Sequence, residues 1–188
     1  MKKSIGVGTY ALPCPVWVVG SYDQTDKPNL MTAAWGGICN SRPASIYVSL
    51  RKATYSHGCI SARRAYTVSI PSEAHLKEAD WIGATSGRDV DKFTKAGLTP
   101  VRSTMVDAPY VKEFPVVLEC KVREAYELGL HTQFVGEILG VLADEEVLDK
   151  KGMIDIKKVK PIIFSPGART YHSIGKKLSD AFTHRSLE

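Results

Sequence analysis

Hydrophobic and polar residues follow a strand-like pattern over the first part of the chain. The run 16–22 is rich in β-branched and aromatic side chains, the polar turn 23–29 follows it, and the apolar run 30–35 comes next. Two such runs across a turn predict a β-hairpin. The run 45–50 has the apolar content of a strand buried on both faces, and 65–70 is predicted to form a further strand.

The second half of the chain returns to strand patterns. Residues 115–126 alternate apolar and polar from Val117 onwards, and 131–143 follows the same period, so we expect these runs to pair as a hairpin. Short strands at 162–165 and 170–174 are expected to close the sheet. Six or more antiparallel candidate strands without regular β-α-β alternation predict a mainly β fold, a closed barrel of Greek-key type.

Helical patterns are few and short. Residues 54–64 are expected to form a helix with a Thr or Ser cap, and 73–83 has helical composition with a glycine at its end. A shorter helix is expected at 89–95, ending at Gly97. The protein is therefore expected to carry a few short helices beside its strands.

The composition is that of an ordinary globular protein. The 188 residues are 44% hydrophobic and 24% charged, which argues against a disordered or fibrous chain. We expect one domain over 1–188 with a core of its own. No stretch approaches the ~18 consecutive apolar residues of a membrane span, so we expect a soluble, cytoplasmic protein without a membrane partner.

Metal and disulfide chemistry are not expected. The cysteines are widely spread and form no C-x-x-C pair, which argues against zinc ribbons, zinc fingers and thioredoxin-type motifs. We expect them to be reduced structural thiols: Cys14, Cys39, Cys59 and Cys120. Four histidines are interpreted as structural or surface residues rather than metal ligands: His57, His75, His172 and His184.

The charge permits phosphate-bearing or nucleic-acid partners. The formal net charge is +5, and the basic residues fall in separate clusters, which favours local phosphate binding over a DNA groove. The alternative from a different class is a basic barrel that stacks nucleic-acid bases on Trp17, Tyr22, Trp35 and Tyr47. It is the weaker reading, because these aromatic residues share strands with apolar neighbours.

The segment 49–60 carries the groups of a phosphate-binding turn. A strand is predicted to end just before Arg51, and Thr54 and Ser56 offer hydroxyls where a helix begins. A helix N-terminus favours an anion by roughly 0.3–1 kcal/mol, and a bidentate arginine adds charge-assisted hydrogen bonds. An ordinary strand-to-helix turn with solvated bases fits the same residues, so the segment alone leaves both readings open.

Two further segments are candidate ligand contacts. Small residues between Thr32 and Gly37 let a planar ligand approach the backbone, and Trp35 adds an aromatic contact, although the segment could equally be a core strand. In the segment 83–93, Ser86-Gly87 is expected to cap a helix. A plain capped surface helix is the alternative there.

The order of these segments carries more information than any one of them. The segments in question are Pro13-Cys14-Pro15-Val16, Asn29-Leu30-Met31-Thr32-Ala33-Ala34-Trp35, Arg42-Pro43, Thr54-Tyr55-Ser56-His57, Ser86-Gly87-Arg88-Asp89-Val90-Asp91-Lys92-Phe93 and His131-Thr132-Gln133-Phe134-Val135-Gly136-Glu137-Ile138. Together they resemble the flavin reductase-like, FMN-binding split-barrel family, and most closely its flavoredoxin-type members. The resemblance runs from about residue 10 to residue 175.

This resemblance implies a six-stranded antiparallel Greek-key split β-barrel that forms a homodimer and holds FMN in a cleft. It implies that the segment 31–35 faces the isoalloxazine ring and that the segment 49–56 surrounds the phosphate. The cofactor contacts that it implies are Asn29, Met31, Thr32, Ala33, Ala34, Trp35, Ser49, Leu50, Arg51, Thr54, Ser56, Ser86, Gly87, Asp91 and Lys92. His131 matches a family position near the nicotinamide and is the candidate catalytic residue.

The activity implied by the resemblance is electron transfer through FMN. Two versions stay open, an NAD(P)H-dependent flavin oxidoreductase and a carrier that relays electrons from a redox partner protein. Hydride transfer needs face-to-face placement at roughly 3–3.5 Å and no nucleophile, so no hydrolytic triad is required. Within the fold, the alternative is an FMN-binding module without turnover.

Overall fold

The structure, a computed structural model, describes residues 1–183. The strands within these residues are β1 (Cys14–Pro15), β2 (Trp17–Tyr22), β3 (Pro28–Ala33), β4 (Gly36–Ser41), β5 (Ala44–Arg51), β6 (Ala65–Ile70), β7 (Pro100–Arg102), β8 (Pro109–Val111), β9 (Val116–Leu128), β10 (His131–Ala143), β11 (Ile163–Ser165) and β12 (Thr170–His172). Seven of them form one antiparallel sheet in the order β3-β2-β6-β9-β10-β5-β4. The fold is therefore mainly β, as the sequence predicts.

The large sheet curls until its two edges meet. Its edge strands, β3 and β4, follow each other in the chain and are joined only by Ala34 and Trp35. A link of this length reaches only about 10 Å, so the two edges must lie side by side. The backbone N–H of Ser49 in β5 donates a hydrogen bond to the carbonyl of Trp35 at 2.8 Å, which holds the link against the sheet.

Two hairpins support this barrel. The predicted β2–β3 hairpin is confirmed, with Trp17 opposite Ala33 and Tyr22 opposite Pro28. The predicted hairpin of the second half is confirmed as β9 and β10, which are 13 residues each. Its two-residue turn contains Gly129, whose φ of 77° is a left-handed conformation that favours glycine.

Several strand predictions need correction. β4 was not predicted, because its second half is exposed and polar, and it raises the strand count of the large sheet to seven. The predicted closing strands exist as β11 and β12, but they pair with β1 in a separate three-stranded sheet. The hairpin of β7 and β8 was also not predicted.

The strand β5 is buried on one face and not on both. Ile46, Val48 and Leu50 lie in the core, whereas Tyr47 and Ser49 are half-buried on the opposite face. The prediction from apolar content that β5 is buried on both faces is therefore wrong. The half-buried face looks towards the chain segment 8–15 across a cavity described below.

The helices are short and lie against the barrel. They are α1 (Tyr55–Arg63), α2 (Leu76–Ala84), α3 (Lys92–Ala96) and α4 (Ile156–Val159), with 3₁₀ turns at Glu73–His75 and Glu145–Val147. The helix predicted at 73–83 is thus divided into a 3₁₀ turn and α2. None of the helices within residues 1–183 is long and apolar enough to cross a membrane.

The start of α3 also differs from the prediction. Asp91 is its N-cap and accepts a hydrogen bond from the backbone N–H of Thr94 at 3.1 Å, so the helix begins at Lys92 and is not capped by Ser86-Gly87. Its predicted end at Gly97 is confirmed, with a φ of 66° at that residue.

Two apolar clusters position the elements around the candidate site. The first fills the barrel and includes Val19, Val48, Tyr66 and Phe134, all at most 1% exposed. The second packs α2, α3 and β8 against the outer face of β2 and β3 and contains Leu30, Ile82, Phe93 and Val111. Because the β2–β3 hairpin is shared by both clusters, its edge strand β3 is fixed rigidly beside α2.

Candidate functional site

A cavity of about 340 Å³ lies between the start of α1, the end of α2 and the start of α3. We call it the inner cavity. Its lining residues are Met31, Ala53, Thr54, Tyr55, Ser56, Ile82, Gly83, Ala84, Thr85, Ser86, Gly87, Arg88, Asp89 and Lys92. Hydroxyls, backbone groups and two cations therefore meet in one small space.

Lys92 is the most unusual side chain of the inner cavity. It is only 4% exposed, and its ammonium donates a hydrogen bond to the carbonyl of Ile82 at 2.7 Å. No carboxylate within residues 1–183 lies within ion-pair distance of it. Burial lowers the pKa of Lys92 to about 8. A buried ammonium with one carbonyl partner keeps unused donors, which favours an anionic ligand in this cavity.

Asn29 reaches the same region from β3. It is 4% exposed, its amide donates to the hydroxyl of Ser56 at 2.8 Å, and its Oδ1 is buried without a hydrogen-bond partner in the described chain. Gly87 covers this oxygen so closely that a Cβ at residue 87 would lie 1.9 Å from it. This contact between Gly87 and Asn29 holds the 85–89 loop against the edge strand β3.

The first turn of α1 offers free backbone donors to the inner cavity. Thr54 is the N-cap, but its hydroxyl donates to the carbonyl of Arg51 at 2.8 Å and makes no capping hydrogen bond. Backbone N–H groups at a helix start that lack a side-chain partner favour an anion. Arg88 lines the opposite wall of the cavity.

Two larger cavities continue from the inner cavity along β3. The Tyr171 cavity, of about 600 Å³, is lined by Val16, Thr32, Ala34, Asp80, Gly83, Ala84, Phe164, Arg169 and Tyr171. The Trp35 cavity, of about 540 Å³, is lined by the segment 8–15 together with Ala34, Trp35, Gly36, Tyr47, Ser49 and Gln133. Gly83 and Ala84 are common to the first two cavities, and Ala34 to the last two. The three cavities are therefore neighbours along β3, with a cationic cavity at one end and an aromatic one at the other.

The wall of the Trp35 cavity allows close approach of a flat group. A Cβ at Gly36 would lie 2.5 Å from the indole of Trp17, and one at Gly37 would lie 3.1 Å from the ring of Tyr47. Gly36 and Gly37 therefore have no room for larger side chains unless Trp17 or Tyr47 moves.

Most of the residues predicted from the sequence line these cavities. Met31, Thr54, Ser56, Ser86, Gly87 and Lys92 meet in the inner cavity, and Thr32, Ala34, Trp35 and Ser49 line the other two. Asn29 lies directly beneath Gly87. Met31, Thr32, Ala34 and Trp35 therefore each line one or two of the three cavities, and their contact with a flavin ring stays a prediction.

Four of the predicted residues stand apart. The side chains of Ala33 and Leu50 lie in the barrel core, so only their backbone groups could contact a ligand. Asp91 uses its carboxylate to cap α3. Arg51 is exposed at the end of β5 and lines none of the three cavities.

His131 lies at the start of β10, outside the three cavities. It is half-buried and pairs with Arg51 across the sheet. The next residue, Thr132, makes a hydrogen bond of 2.8 Å with the ring of His57. His57 is therefore held against the β10 strand through Nε2.

Metal ligands are not clustered in the described part of the chain. No group of three or more His, Cys, Asp or Glu that could hold a metal ion lies within residues 1–183, and His184 falls outside them. Cys59 and Cys120 are buried, and burial raises the pKa of both thiols. Cys14 is half-buried and Cys39 is exposed.

Several lining residues were missed from the sequence. Arg88 lies inside the matching segment 86–93 and follows Ser86-Gly87 directly, so its charge was a usable signal. Phe164, Arg169 and Tyr171 come from the distant β11–β12 hairpin and gave no local signal. The hydroxyl of Tyr171 donates to Asp80 of α2 at 2.8 Å, which fixes that hairpin to the site.

Comparison with known proteins identifies the family of this chain. The model of the flavin reductase-like domain matches residues 9–170. The chain belongs to the flavin reductase-like domain family. This membership argues against the alternative of a nucleic-acid-binding barrel and supports an oxidoreductase in general terms.

Solved structures of flavoredoxins have the same fold as this chain. Flavoredoxin of Desulfovibrio vulgaris (Miyazaki F) is 51% identical to this flavin reductase-like chain, with a TM-score of 0.94 over 97% of this chain and 98% of that one. Flavoredoxin from Methanosarcina acetivorans is 29% identical, with a TM-score of 0.90 over 100% of both chains.

A third neighbour shares only the fold. It is the putative flavin reductase with a split barrel domain from Shewanella frigidimarina, which is 23% identical, with a TM-score of 0.80 over 89% of this chain and 85% of that one. The prediction of a split barrel of the flavin reductase-like family is therefore confirmed, with flavoredoxins among its neighbours.

Proposed function

We propose that this chain is an FMN flavoprotein that transfers electrons, with the phosphate of FMN in the inner cavity and its ring system along the segment 31–35. The residues present fit such a ligand. The inner cavity combines a buried ammonium, an uncapped helix start and hydroxyls, whereas the Trp35 cavity is lined by the rings of Tyr10, Trp35 and Tyr47 and by small residues. Family membership supports the same conclusion.

The observation that carries this proposal is the environment of Lys92. A buried ammonium that has only the carbonyl of Ile82 as its partner is costly in the free protein. A phosphate in the inner cavity would supply the missing negative charge, and charge-assisted hydrogen bonds are roughly twice as strong as neutral ones. Thr54, Ser86 and Arg88 stand around the same space and would complete the anion site.

The Trp35 cavity would hold the ring system and influence its charge distribution. Trp35 and the backbone of the β3–β4 link would lie along one side of it, and Tyr47, Ser49 and Gln133 would border it from β5 and β10. Backbone N–H groups at such an edge stabilise negative charge that develops on a ligand. The segment 8–15 would border the ring on the remaining side.

Bound FMN supplies the hydride- and electron-accepting chemistry that no side chain of this protein offers. The protein's contribution is to bind, orient and shield the ring. In this proposal His131 contacts the electron donor, either NAD(P)H or a redox partner protein. Its cross-strand neighbour Arg51 is exposed and would offer a positive charge to an approaching donor.

The two versions of the activity differ in the electron donor. Rapid anaerobic mixing of the FMN-loaded protein with NADH, and separately with NADPH, distinguishes them. Loss of the visible flavin absorbance with either nucleotide supports the reductase, and inertness to both, together with reduction by a low-potential redox protein, supports the carrier. Inertness to every donor leaves the FMN-binding module without turnover.

A homodimer is part of the proposal. Ile38 on the edge strand β4 is 82% exposed, and Leu128 and Leu130 at the tip of the β9–β10 hairpin are 59% and 60% exposed. Exposed apolar side chains on an unpaired edge strand favour association with another chain. Light scattering after gel filtration, with Ile38→Lys as the variant, tests this part. A cytoplasmic location stays a prediction.

A further inference from the structure

An apolar groove of about 350 Å³ lies between the segment 15–17 and the segment 154–163, and it shares no lining residue with the inner cavity. We call it the Ile156 groove. Its lining residues are all apolar or aromatic and include Ile70 and Val116. Ile154 and Ile156 belong to the lining and are 44% and 57% exposed. A surface of this composition favours an apolar occupant that removes it from water.

The segment 173–183, which follows β12 in the chain, is the second unpartnered apolar feature. We call it the arm, and its backbone forms neither a helix nor a strand. Leu178 and Phe182 of the arm are 89% and 91% exposed. Within residues 1–183, the side-chain hydrogen bonds of the arm stay inside it, as between Lys177 and Asp180 at 2.5 Å. A single chain therefore leaves two large apolar side chains of the arm in water.

The apolar residues of the arm have the spacing of one helix face. Ile174, Leu178 and Phe182 are four residues apart, so a helix would align them in one stripe, with Lys176 and Asp180 on the opposite face. A helix of this length is marginal in water on its own, which agrees with the irregular backbone of the arm in a single chain. Amphipathic segments of this kind form a helix when the apolar stripe binds an apolar groove.

The arm begins beside the groove of its own chain but does not enter it. His172, at the end of β12, pairs with Ile163 of β11, and Ile163 lines the Ile156 groove. The exposure of Leu178 and Phe182 shows that the arm then runs away from this groove. A two-fold axis beside the groove would bring each arm over the groove of the other copy. Such a contact, made twice, has the self-complementary geometry of a closed dimer.

From these features we propose that the arm of one copy binds the Ile156 groove of a second copy as a short helix, with Leu178 and Phe182 in the groove. The inference rests on the homodimer of the proposed function. The groove is continuous with the surface given there, because β1 contributes Pro15 to the groove and contacts β4, which carries Ile38. Pro15 also lines the Trp35 cavity, so a bound arm would support one wall of the candidate flavin site.

The first test compares variants of the arm and of the groove. The arm variant combines Leu178→Ser with Phe182→Ser, and Lys176→Ser on the opposite face is its control. The groove variant is Ile156→Glu, and Lys157→Glu is its control, because Lys157 is exposed on the same helix and does not line the groove. Analytical ultracentrifugation over a range of concentrations gives the dissociation constant of the dimer. Circular dichroism checks that each variant is folded.

We expect the arm variant and the groove variant each to raise the dissociation constant of the dimer by about tenfold or more, and both controls to behave like the wild type. Combining the arm and groove changes in one chain should weaken the dimer no further than either change alone, because both remove the same contact. Additive effects of the two changes would show that the arm and the groove act separately, which would overturn the inference.

The second test shows whether the arm binds another chain or its own. In a Cys39→Ser background, which removes the exposed native thiol, a protein with Phe182→Cys is mixed with a longer, tagged protein with Ile156→Cys and oxidised. We expect a disulfide-linked pair of one tagged and one untagged chain.

Two further results would overturn the inference. One is that a chain carrying both cysteines cross-links only within itself, which would make the arm a strap on its own groove. The other is that the arm variant dimerises like the wild type and the mixed proteins do not cross-link. If Ile38→Lys is then monomeric, the homodimer stands without arm exchange. FMN binding, measured separately by flavin fluorescence, decides the flavoprotein proposal whatever the arm does.

Discussion

The backbone of Gly87 lies directly over the amide oxygen of Asn29, and a Cβ at residue 87 would come within 1.9 Å of that oxygen. Asn29 is fixed from below because its amide donates to Ser56 at 2.8 Å. The contact therefore joins three parts of the candidate site, namely β3, α1 and the 85–89 loop. The Oδ1 atom of Asn29 has no hydrogen-bond partner in the described chain, so Asn29 and Gly87 are held together by packing and not by a hydrogen bond.

Replacing Gly87 should disturb this junction. Gly87→Ala forces the new methyl group against Asn29, and overpacking of this kind costs about 1–3 kcal/mol. We expect a lower free energy of unfolding in urea and a weaker affinity for FMN. Gly175→Ala is the matched control, because a Cβ there meets no atom within 4 Å. Equal stability of the two variants would show that the 85–89 loop moves freely.

Lys92 should matter more for the ligand than for the fold. Lys92→Met keeps the buried stem and removes the charge, so we expect a flavin-free protein as stable as the wild type or more stable. Because hydrogen bonds to charged groups contribute about 1.5–3 kcal/mol, the affinity for FMN should fall about 10–100-fold. Riboflavin, which lacks the phosphate, should lose little affinity. An equal loss for both flavins would place Lys92 at the ring and not at the phosphate.

The same lysine predicts a pH dependence of stability. Burial lowers the pKa of Lys92 to about 8 from its ordinary 10.5. Between these values the unfolded chain holds a proton that the folded chain has released, so the free energy of unfolding should rise with pH over that range. Urea unfolding of the flavin-free wild type beside Lys92→Met isolates this contribution. If the difference between the two proteins did not change between pH 8 and pH 10, the ammonium would not be buried as described.

Arg88 and Arg51 can be compared directly, because both are exposed arginines near the start of α1. Arg88 lines the inner cavity and Arg51 does not. We expect Arg88→Ala to weaken FMN binding by about tenfold, and Arg51→Ala to change it by less. Titration of each variant with FMN and with riboflavin measures the difference. The reverse order would restore Arg51 to the phosphate site that the sequence predicts.

Asp23 should make the fold sensitive to acid. Burial raises its pKa, but hydrogen bonds from Tyr55, Thr25 and Lys27 outweigh burial and lower the pKa to about 2 from an ordinary 3.8. The shift corresponds to about 2 kcal/mol of stability that is present above pH 3.8 and lost as the pH falls towards 2. Asp23→Asn should be less stable than the wild type at pH 7 and nearly equal to it at pH 2. A constant difference over this range would assign the stabilisation to another group.

The sequence was most informative where hydrophobic periodicity and turn residues agree. The hairpins β2–β3 and β9–β10 and the helix α1 follow from alternation and from a polar turn or cap. β4 escaped prediction because its exposed residues, such as Asn40 and Ser41, resemble a loop. Its strand character comes from pairing with β5, which is a tertiary effect. The assignment of 1–188 to one domain stays a prediction.

Two features of the candidate site could not be predicted from the sequence. One is the direction in which individual side chains point, and the other is contact between residues far apart in the chain. The order of motifs identified the segments 31–35 and 86–92, but periodicity alone did not show that Leu50 points into the core or that Asp91 caps α3. Phe164 and Tyr171 reach the site only through the small β1-β11-β12 sheet. Such contacts depend on topology, which the local sequence does not contain.

The central claim is that Lys92 and its neighbours hold the phosphate of FMN. The most direct measurement loads the purified protein with FMN, removes free flavin by gel filtration, and records the visible spectrum of the protein fraction for wild type and Lys92→Met. We predict that the wild type elutes yellow, with about one flavin per chain, and that the variant loses most of its flavin to the small-molecule fraction. A colourless wild type, or equal retention of flavin by both proteins, would contradict the account.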